Sequence, residues 1–263
     1  MIIQSVGLRN LPETEAFPFN LDLIKNLETI KFSSNVTFLV GENGSGKSTL
    51  LEAIAYASRV PTAGGISIED DPLMEAARSL GNMLSIRYQD RTSAGFFTRA
   101  EDFIGFVKNI LRNLAEIDTE MQEIKDTWNG GDLNLALKPF LGERKAITDR
   151  YSENLDAMSH GEGFLKFFMA RITGKGLYLI DEPEAALSPQ RQLSLISLIL
   201  EKVKTVDAQF IIATHSPLIM AIPNANILEI KEGKISPIAY KDTEHYKLTR
   251  SFLDNPEVFL REL

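Results

Sequence analysis

The run Gly41-Glu42-Asn43-Gly44-Ser45-Gly46-Lys47-Ser48 has glycine, four residues, glycine, lysine and a hydroxyl residue in order. That spacing suits a phosphate-cradling loop. Successive backbone N–H groups of such a loop, with the positive end of a following helix, wrap a polyphosphate. Lys47 would reach the β- and γ-phosphates and Ser48 would ligate magnesium, so Gly41 to Ser48 together with Thr49 form the expected nucleotide-binding set. A phosphate loop needs an acidic partner at the end of a neighbouring strand, and Leu177-Tyr178-Leu179-Ile180-Asp181-Glu182 supplies it. Asp181 would hold magnesium through its water shell. Glu182, one residue later, would face the γ-phosphate and orient or deprotonate the attacking water.

These residues need strands that end in one place. Val36 to Val40 is a compact β-branched run ahead of the loop, and Leu50, Leu51, Ile54 and Ala55 then recur at helical spacing to Ser58. Ile3, Val6 and Leu8 read as a first strand, and a second apolar stretch begins near Phe17 and Phe19. Leu177 to Ile180 and Phe210 to Ala213 are further buried strands. Ser188-Pro189 reads as an N-cap and first turn of a helix to about Lys204, and Ile227 to Ile230 with Ile235 to Tyr240 suggests an edge hairpin around Glu232-Gly233. Strands separated by helices imply an α/β fold with ligand chemistry at the carboxyl ends of its strands.

Residues 70–163 are more helical and more charged than their flanks, and read as an inserted, mainly helical arm in a core formed by 1–69 and 164–263. Within it Leu84 to Tyr88 and Gly95 to Thr98 suit short strands. Asp102 to Trp128 carries apolar residues at spacings of three and four, one long amphipathic helix or two in tandem, and Lys138 to Arg150 is mixed in charge and poorly patterned. Its Lys138, Arg144, Lys145 and Arg150 could form a nucleic-acid contact, but Glu143 and Asp149 interrupt the run and favour a solvated face. Asp242 to Leu263 reads as helix, a break at Asn255-Pro256 and a short helix, with His245 and Tyr246 taken as packing and surface groups.

The order of phosphate loop, Met158-Ser159-His160-Gly161-Glu162, Asp181-Glu182-Pro183, Ala185-Ala186-Leu187-Ser188 and Thr214-His215-Ser216 resembles the ATP-binding cassette (ABC) ATPases. The resemblance implies a P-loop NTPase fold of the ABC type, ATP and Mg2+ as ligands, and ATP hydrolysis to ADP and phosphate with Lys47, Glu182 and His215 as catalytic residues. It implies that Ser159, His160, Gly161 and Glu162 form a signature segment contacting the ATP of a second subunit, so that the working unit is a head-to-tail, ATP-dependent homodimer. His160 replaces a glycine of that signature, Glu162 a glutamine, and Ser188 an aspartate of the following loop. His215 is similar to the switch histidine that contacts the γ-phosphate. The magnesium-sensing glutamine has two candidate positions. Gln89 has the right chemistry, but Phe96 to Glu101 has the better strand-to-helix context, with Arg99 or Glu101 in the glutamine's place. Phe17 or Phe19 could stack on adenine, although both read as core.

Within the family, the glutamate of the signature and the run Asp181 to Pro189 resemble the soluble, non-transport branch. The chain is similar to small bacterial AAA/ABC-type predicted ATPases sharing GFF-x-RAE, SHGE and TEHY-x-LTR-x-FL, here Gly95 to Glu101, Ser159 to Glu162 and Thr243 to Leu253. A cytoplasmic switch acting on a protein or nucleic-acid partner is the expectation, with the ATP-binding subunit of a membrane transporter as the alternative.

Composition bounds these readings. With 263 residues, 44% hydrophobic and 24% charged, the chain has an ordinary globular make-up. Zero cysteine excludes a disulfide framework, thiolate metal ligation and a thiol nucleophile. A net charge of −8 argues against a globally basic nucleic-acid binder. The N-terminus lacks the pattern of a secretion signal. The most apolar run, Leu193 to Leu200, is far shorter than the ~20 residues a membrane span needs, so a membrane role would require a partner subunit.

Overall fold

The computed structural model describes residues 1–10, 12–63, 67–92, 94–99, 102–151 and 160–261. The strands are β1 (Ile3–Leu8), β2 (Ile30–Lys31), β3 (Val36–Gly41), β4 (Leu84–Tyr88), β5 (Gly95–Arg99), β6 (Leu177–Asp181), β7 (Gln209–Ala213), β8 (Asn226–Lys231) and β9 (Lys234–Pro237). The helices are α1 (Asp22–Lys25), α2 (Lys47–Ser58), α3 (Glu75–Met83), α4 (Asp102–Thr127), α5 (Leu133–Tyr151), α6 (His160–Arg171), α7 (Pro189–Val206), α8 (Pro217–Met220), α9 (Glu244–Asp254) and α10 (Pro256–Leu260). A six-stranded sheet runs in the order β5-β6-β7-β3-β8-β9, parallel except for β9. A three-stranded antiparallel sheet, β2-β1-β4, accompanies it. This is the α/β architecture expected from the alternation of strands and helices.

Every residue of β3, β6 and β7 is buried, which is why these strands read as unbroken apolar runs. The two-residue period of a strand sorts their side chains into two cores. Leu177 and Leu179 of β6 and Ile211 of β7 pack with Leu50, Leu51 and Ile54 of α2. Tyr178 and Ile180 of β6 and Phe210 and Ile212 of β7 pack with Phe164, Phe167 and Phe168 of α6 and Leu195 of α7. In this second core Phe96 meets Phe167, Phe168 and Tyr178 at centroid distances of 5.7, 5.7 and 5.2 Å. Tilted and edge-on contacts of this kind suit the ring quadrupoles.

Part of 70–163, the stretch read as an inserted arm, lies within the sheets. Leu84 to Leu8 and Ile86 to Val6 are register pairs of β4 with β1, and β5 pairs in parallel with β6. The protruding part is the antiparallel pair α4–α5. Its base, with Phe106 and Tyr151 at a centroid distance of 5.3 Å, joins the second core, while Ile117, Met121 and Leu137 form a separate cluster farther out. Lys138 to Arg150, poorly patterned as sequence, is helical within α5 because Leu137, Phe140 and Ile147 face α4 and Arg144 pairs with Asp118 at 2.9 Å. Pro139 stands inside that helix.

One smaller expectation fails, that Phe17 and Phe19 are both core. They lie in a turn, with the Phe19 N–H donating to the Ala16 carbonyl at 2.9 Å. Phe19 is buried as expected, but Phe17 is 58% exposed and outside the core. Ser188-Pro189 opens α7 as expected, Ser188 as the N-cap with extended backbone and Pro189 in the first turn, although the Ser188 hydroxyl makes no capping bond.

Gln209 ties the sheets together. Its buried amide Oε1 accepts from the N–H groups of Ile2 (2.6 Å) and Ile3 (2.7 Å), and its Nε2 donates to the Ile3 carbonyl (3.0 Å). A Gln209→Leu substitution would orphan three buried backbone groups, each costing about 1–3 kcal/mol. We expect a loss of about 3 kcal/mol or more in urea denaturation; an unchanged midpoint would show that the amide does not tie β1 to the main sheet.

Candidate functional site

The carboxyl ends of β5, β6, β7 and β3 lie side by side. Arg99 pairs with Asp181, Asp181 with Ala213, and Ala213 with Leu39, one row across the sheet. The chain beyond each strand end supplies the site: the phosphate loop and α2 after β3, Glu182 after β6, and Thr214-His215 after β7.

Glycine is required at the two edges of the loop. Gly41 has φ +151°, and a Cβ there would come within 2.5 Å of the Ile230 carbonyl oxygen; Gly46 has φ +92°, and its Cβ would meet Leu23 at 2.9 Å. Both positions favour glycine on backbone conformation as well as on space. Lys47, 4% exposed, folds back so that its Nζ donates to the carbonyls of Gly41 (2.9 Å) and Glu42 (2.8 Å). Burial holds its ammonium below the ordinary value, against the pull of Glu182, Asp181 and Glu184. Among the described residues, the Ser45 Oγ is buried without a hydrogen-bond partner. An orphaned hydroxyl, a buried cation and a helix N-terminus fit a bound polyphosphate.

On the acidic side, the Ser48 Oγ donates to Asp181 Oδ1 at 3.2 Å. Asp181 is 6% exposed, and burial pushes its carboxyl up to about 6, with Glu182 adding to the shift. Ser48, Arg99 and Lys47 pull in the other direction. A carboxylate raised in this way next to a serine hydroxyl has too little positive charge nearby, which fits a divalent cation. Magnesium needs only one or two protein oxygens when phosphates and waters complete its shell. Ser48 and Asp181 match that donor set, and among the described residues no three or more His, Cys, Asp or Glu are grouped so as to hold a metal ion by themselves. Glu182 is 45% exposed on its side chain and sits at φ +46°, ψ +53°, held by its N–H on the Ala213 carbonyl at 2.9 Å.

His215 places its Nε2 3.6 Å from Glu182 Oε1. Burial lowers the pKa of the ring and the Lys47 charge lowers it further, with Glu182 opposing. Two partners of His215 were not among the expected site residues. Glu184 accepts from the His215 backbone N–H (2.5 Å) and from the Thr214 hydroxyl (2.7 Å), so the turn after β6 pins the loop after β7. Burial raises the Glu184 carboxyl against these two hydrogen bonds. The run Asp181 to Ser188 contains Glu184, but nothing in it marks a side chain that turns back to a strand 30 residues away. His245, read as a packing or surface group, has its Nε2 2.8 Å from His215 Nδ1. The fold brings them together across 30 positions, a distance at which sequence pattern carries no signal.

Of the positions considered for magnesium sensing, Arg99 stands beside Asp181 and pairs with Glu52 of α2 at 3.2 Å. Gln89 does not reach the site: it follows β4 at the edge of the small sheet, its N–H on the Ile2 carbonyl at 2.8 Å. Glu101 and Ser159 lie outside the described residues. His160 opens α6, with Gly161 and Glu162 in its first turn. Next to the loop an open cleft of about 590 Å³ is lined by Asn20 to Leu23, Gly41 to Ser45, Glu229 to Gly233, and Glu244 with His245. Phe17 and Phe19 do not line it.

The family model described as ABC transporter matches residues 24–185, more than half of the chain. The mouse ABC-type organic anion transporter ABCA8B is 28% identical over 205 residues, a match covering 76% of this chain but only 11% of that protein. The lipoprotein-releasing system ATP-binding protein LolD of Pseudoalteromonas translucida is 24% identical over 225 residues, covering 85% of this chain and 89% of that one. Among solved structures, the Smc head bound to the C-winged helix domain of ScpA shares the fold at a TM-score of 0.53 and 19% identity, over 90% of this chain and 98% of that one. Among the described residues, no helix is long and apolar enough to cross a membrane. ATP with Mg2+ is the ligand of this fold and ATP hydrolysis its reaction; the chain belongs to the ABC transporter family and is an ABC-type P-loop ATPase.

Proposed function

We propose that hydrolysis runs at the row of strand ends carrying Lys47, Ser48, Asp181, Glu182 and His215. The observation behind this reading is the coincidence of two contacts in one place, Ser48 to Asp181 at 3.2 Å and His215 to Glu182 at 3.6 Å. The loop from Gly41 to Thr49 would wrap the phosphates with its N–H groups. Lys47 would exchange its bonds to the Gly41 and Glu42 carbonyls for phosphate oxygens. Ser48 and Asp181 would hold magnesium, which when bound neutralises charge on the phosphates. Glu182 would orient the attacking water and accept its proton, and His215 would donate to the γ-phosphate. Arg99, beside Asp181, would occupy the magnesium-sensing position.

The wider proposal is a cytoplasmic, non-transport ATPase that closes head-to-tail around ATP, with Ser159, His160, Gly161 and Glu162 contacting the nucleotide of the second subunit. Of the expected arm, 70–163, β4 and β5 belong to the sheets with the core of 1–69 and 164–263, and α4–α5 is the part we take as free to meet a protein or nucleic-acid partner. The replacements His160 and Glu162 in the signature support this branch. A second reading, the ATP-binding subunit of a transporter, is favoured by the near full-length match to LolD. Co-purification with a multi-span membrane protein from detergent extracts would decide for the second reading.

Two measurements test the catalytic assignment. Glu182→Gln keeps shape and hydrogen-bonding capacity but removes the base. We expect turnover to fall at least about 100-fold while an ATP-bound dimer accumulates in size-exclusion chromatography; a monomer in saturating ATP would refute the closed dimer. Asp181→Asn tests the charge balance. Burial pushes the folded carboxyl up to about 6 against 3.8 as its ordinary value, so above about pH 6 its ionised form costs folding stability, at most about 3 kcal/mol. That cost shrinks as pH falls from 6 and is gone below 3.8, where both states are protonated. Asp181→Asn should therefore be the more stable protein at pH 8 in urea denaturation, converge with wild type near pH 4, and lack Mg2+-dependent hydrolysis. A variant less stable than wild type at pH 8 would contradict the picture of an under-compensated carboxylate.

A further inference from the structure

The His215–His245 contact determines where the proton on the His215 ring can sit. A single proton bridges His215 Nδ1 and His245 Nε2 across 2.8 Å, with the rings edge to face at a centroid distance of 4.9 Å. On the opposite side, His215 Nε2 is buried, lacks a hydrogen-bond partner among the described residues, and faces Glu182 Oε1 at 3.6 Å. If His215 Nδ1 carried the bridging proton, a neutral ring would turn the Nε2 lone pair toward a carboxylate, acceptor against acceptor. If His245 Nε2 carries it, His215 Nδ1 accepts and Nε2–H points toward Glu182 and the phosphate end of the loop. Only the second arrangement presents a donor where an anionic phosphate oxygen arrives.

We propose that His245 is a positioning residue for hydrolysis, its Nε2–H fixing His215 as the Nε2–H tautomer. The inference rests on the reading of His215 as the γ-phosphate donor. The charged groups around the pair are consistent with neutral rings. Burial lowers both imidazoles, and Lys47 lowers both further, against Glu182 at His215 and against Glu244 and Glu184 at His245. His245 is also held in place from its own side. It lies in the first turn of α9, which Thr243 caps by accepting from the Tyr246 N–H at 3.4 Å while donating to the Tyr240 carbonyl at 2.8 Å. The Tyr240 hydroxyl donates to the carbonyl of Pro217, the residue that opens α8 just after His215. The start of α9 is thus tied to the segment that carries His215, so the ring contact does not depend on a free helix end.

The chain has three histidines, so ¹⁵N-histidine labelling yields an assignable spectrum. At pH 7.5 the 263-residue chain should show His215 with Nδ1 unprotonated and Nε2 protonated. A spectrum with Nε2 unprotonated, or with both nitrogens protonated, overturns the inference. Kinetically, His245→Phe keeps a ring and removes the donor. It should lower kcat for ATP at least about tenfold, with KM within about threefold. His245→Gln places an amide N–H near the same point and should restore kcat to within about threefold of wild type. If Gln and Phe are equally impaired, His245 acts through packing and the inference fails. His215→Ala separates the two levels. If it abolishes turnover while His245→Phe retains it, only the present inference falls; if His215→Ala itself turns over normally, the reading of His215 falls and takes this one with it.

Discussion

A carboxylate buried at the end of a parallel strand is a poor companion for another carboxylate. Yet β6 ends in Asp181 and continues directly into Glu182. The surrounding structure is arranged around that concentration of negative charge. Lys47 approaches from the loop after β3, Arg99 from the end of β5, and Ser48 supplies a hydroxyl. These do not suffice, since burial still leaves the Asp181 carboxyl at about 6. On the proposed reading, a cation bound beside Ser48 and Asp181 would offset that shortfall, which would couple binding to stability through simple linkage.

Such a balance holds only if the strand ends stay aligned to within a fraction of a residue, and that precision comes from the cores. Slipping a fully buried strand by one residue would exchange its two faces, sending Tyr178 and Ile180 into the space shaped for Leu177 and Leu179. The aromatic cluster around Phe96, Phe167, Phe168 and Tyr178 makes that exchange costly because its ring shapes are not interchangeable with leucines. Register on β5, β6 and β7 therefore places Arg99, Asp181 and the residues after Ala213 where their charges can interact.

What the sequence made legible was local. The phosphate loop, the acidic pair Asp181-Glu182 and the strands that carry them are contiguous patterns whose physics operates within a few residues. His215 was found through family resemblance, because a lone histidine at a strand end has no pattern of its own. Glu184 and His245 escaped because their roles arise only when the turn after β6 and the start of α9 converge on the loop after β7. Gln89, the candidate with the poorer strand-to-helix context, fails for the converse reason: its side-chain chemistry suits the task, but β4 belongs to the small antiparallel sheet and leads elsewhere. The helix α5 was obscured because its apolar face is narrow and Pro139 interrupts the pattern, while the contacts that stabilise it are on α4.

These long-range contacts follow a common logic. Each joins a group whose identity the chemistry demands to a group that fixes its orientation: Asp181 to Ser48, the His215 backbone to Glu184, the His215 ring to His245. A phosphate contact must present a donor, and an imidazole can present one at Nε2 in two ways, by carrying an extra proton or by having an acceptor role imposed on Nδ1. Burial beside Lys47 opposes the extra proton. The imposed role requires a neighbour with a proton to donate, and the fold supplies it from the first turn of α9. On the proposed reading the C-terminal segment takes part in catalysis only through this contact, by deciding which way the histidine after β7 can bond.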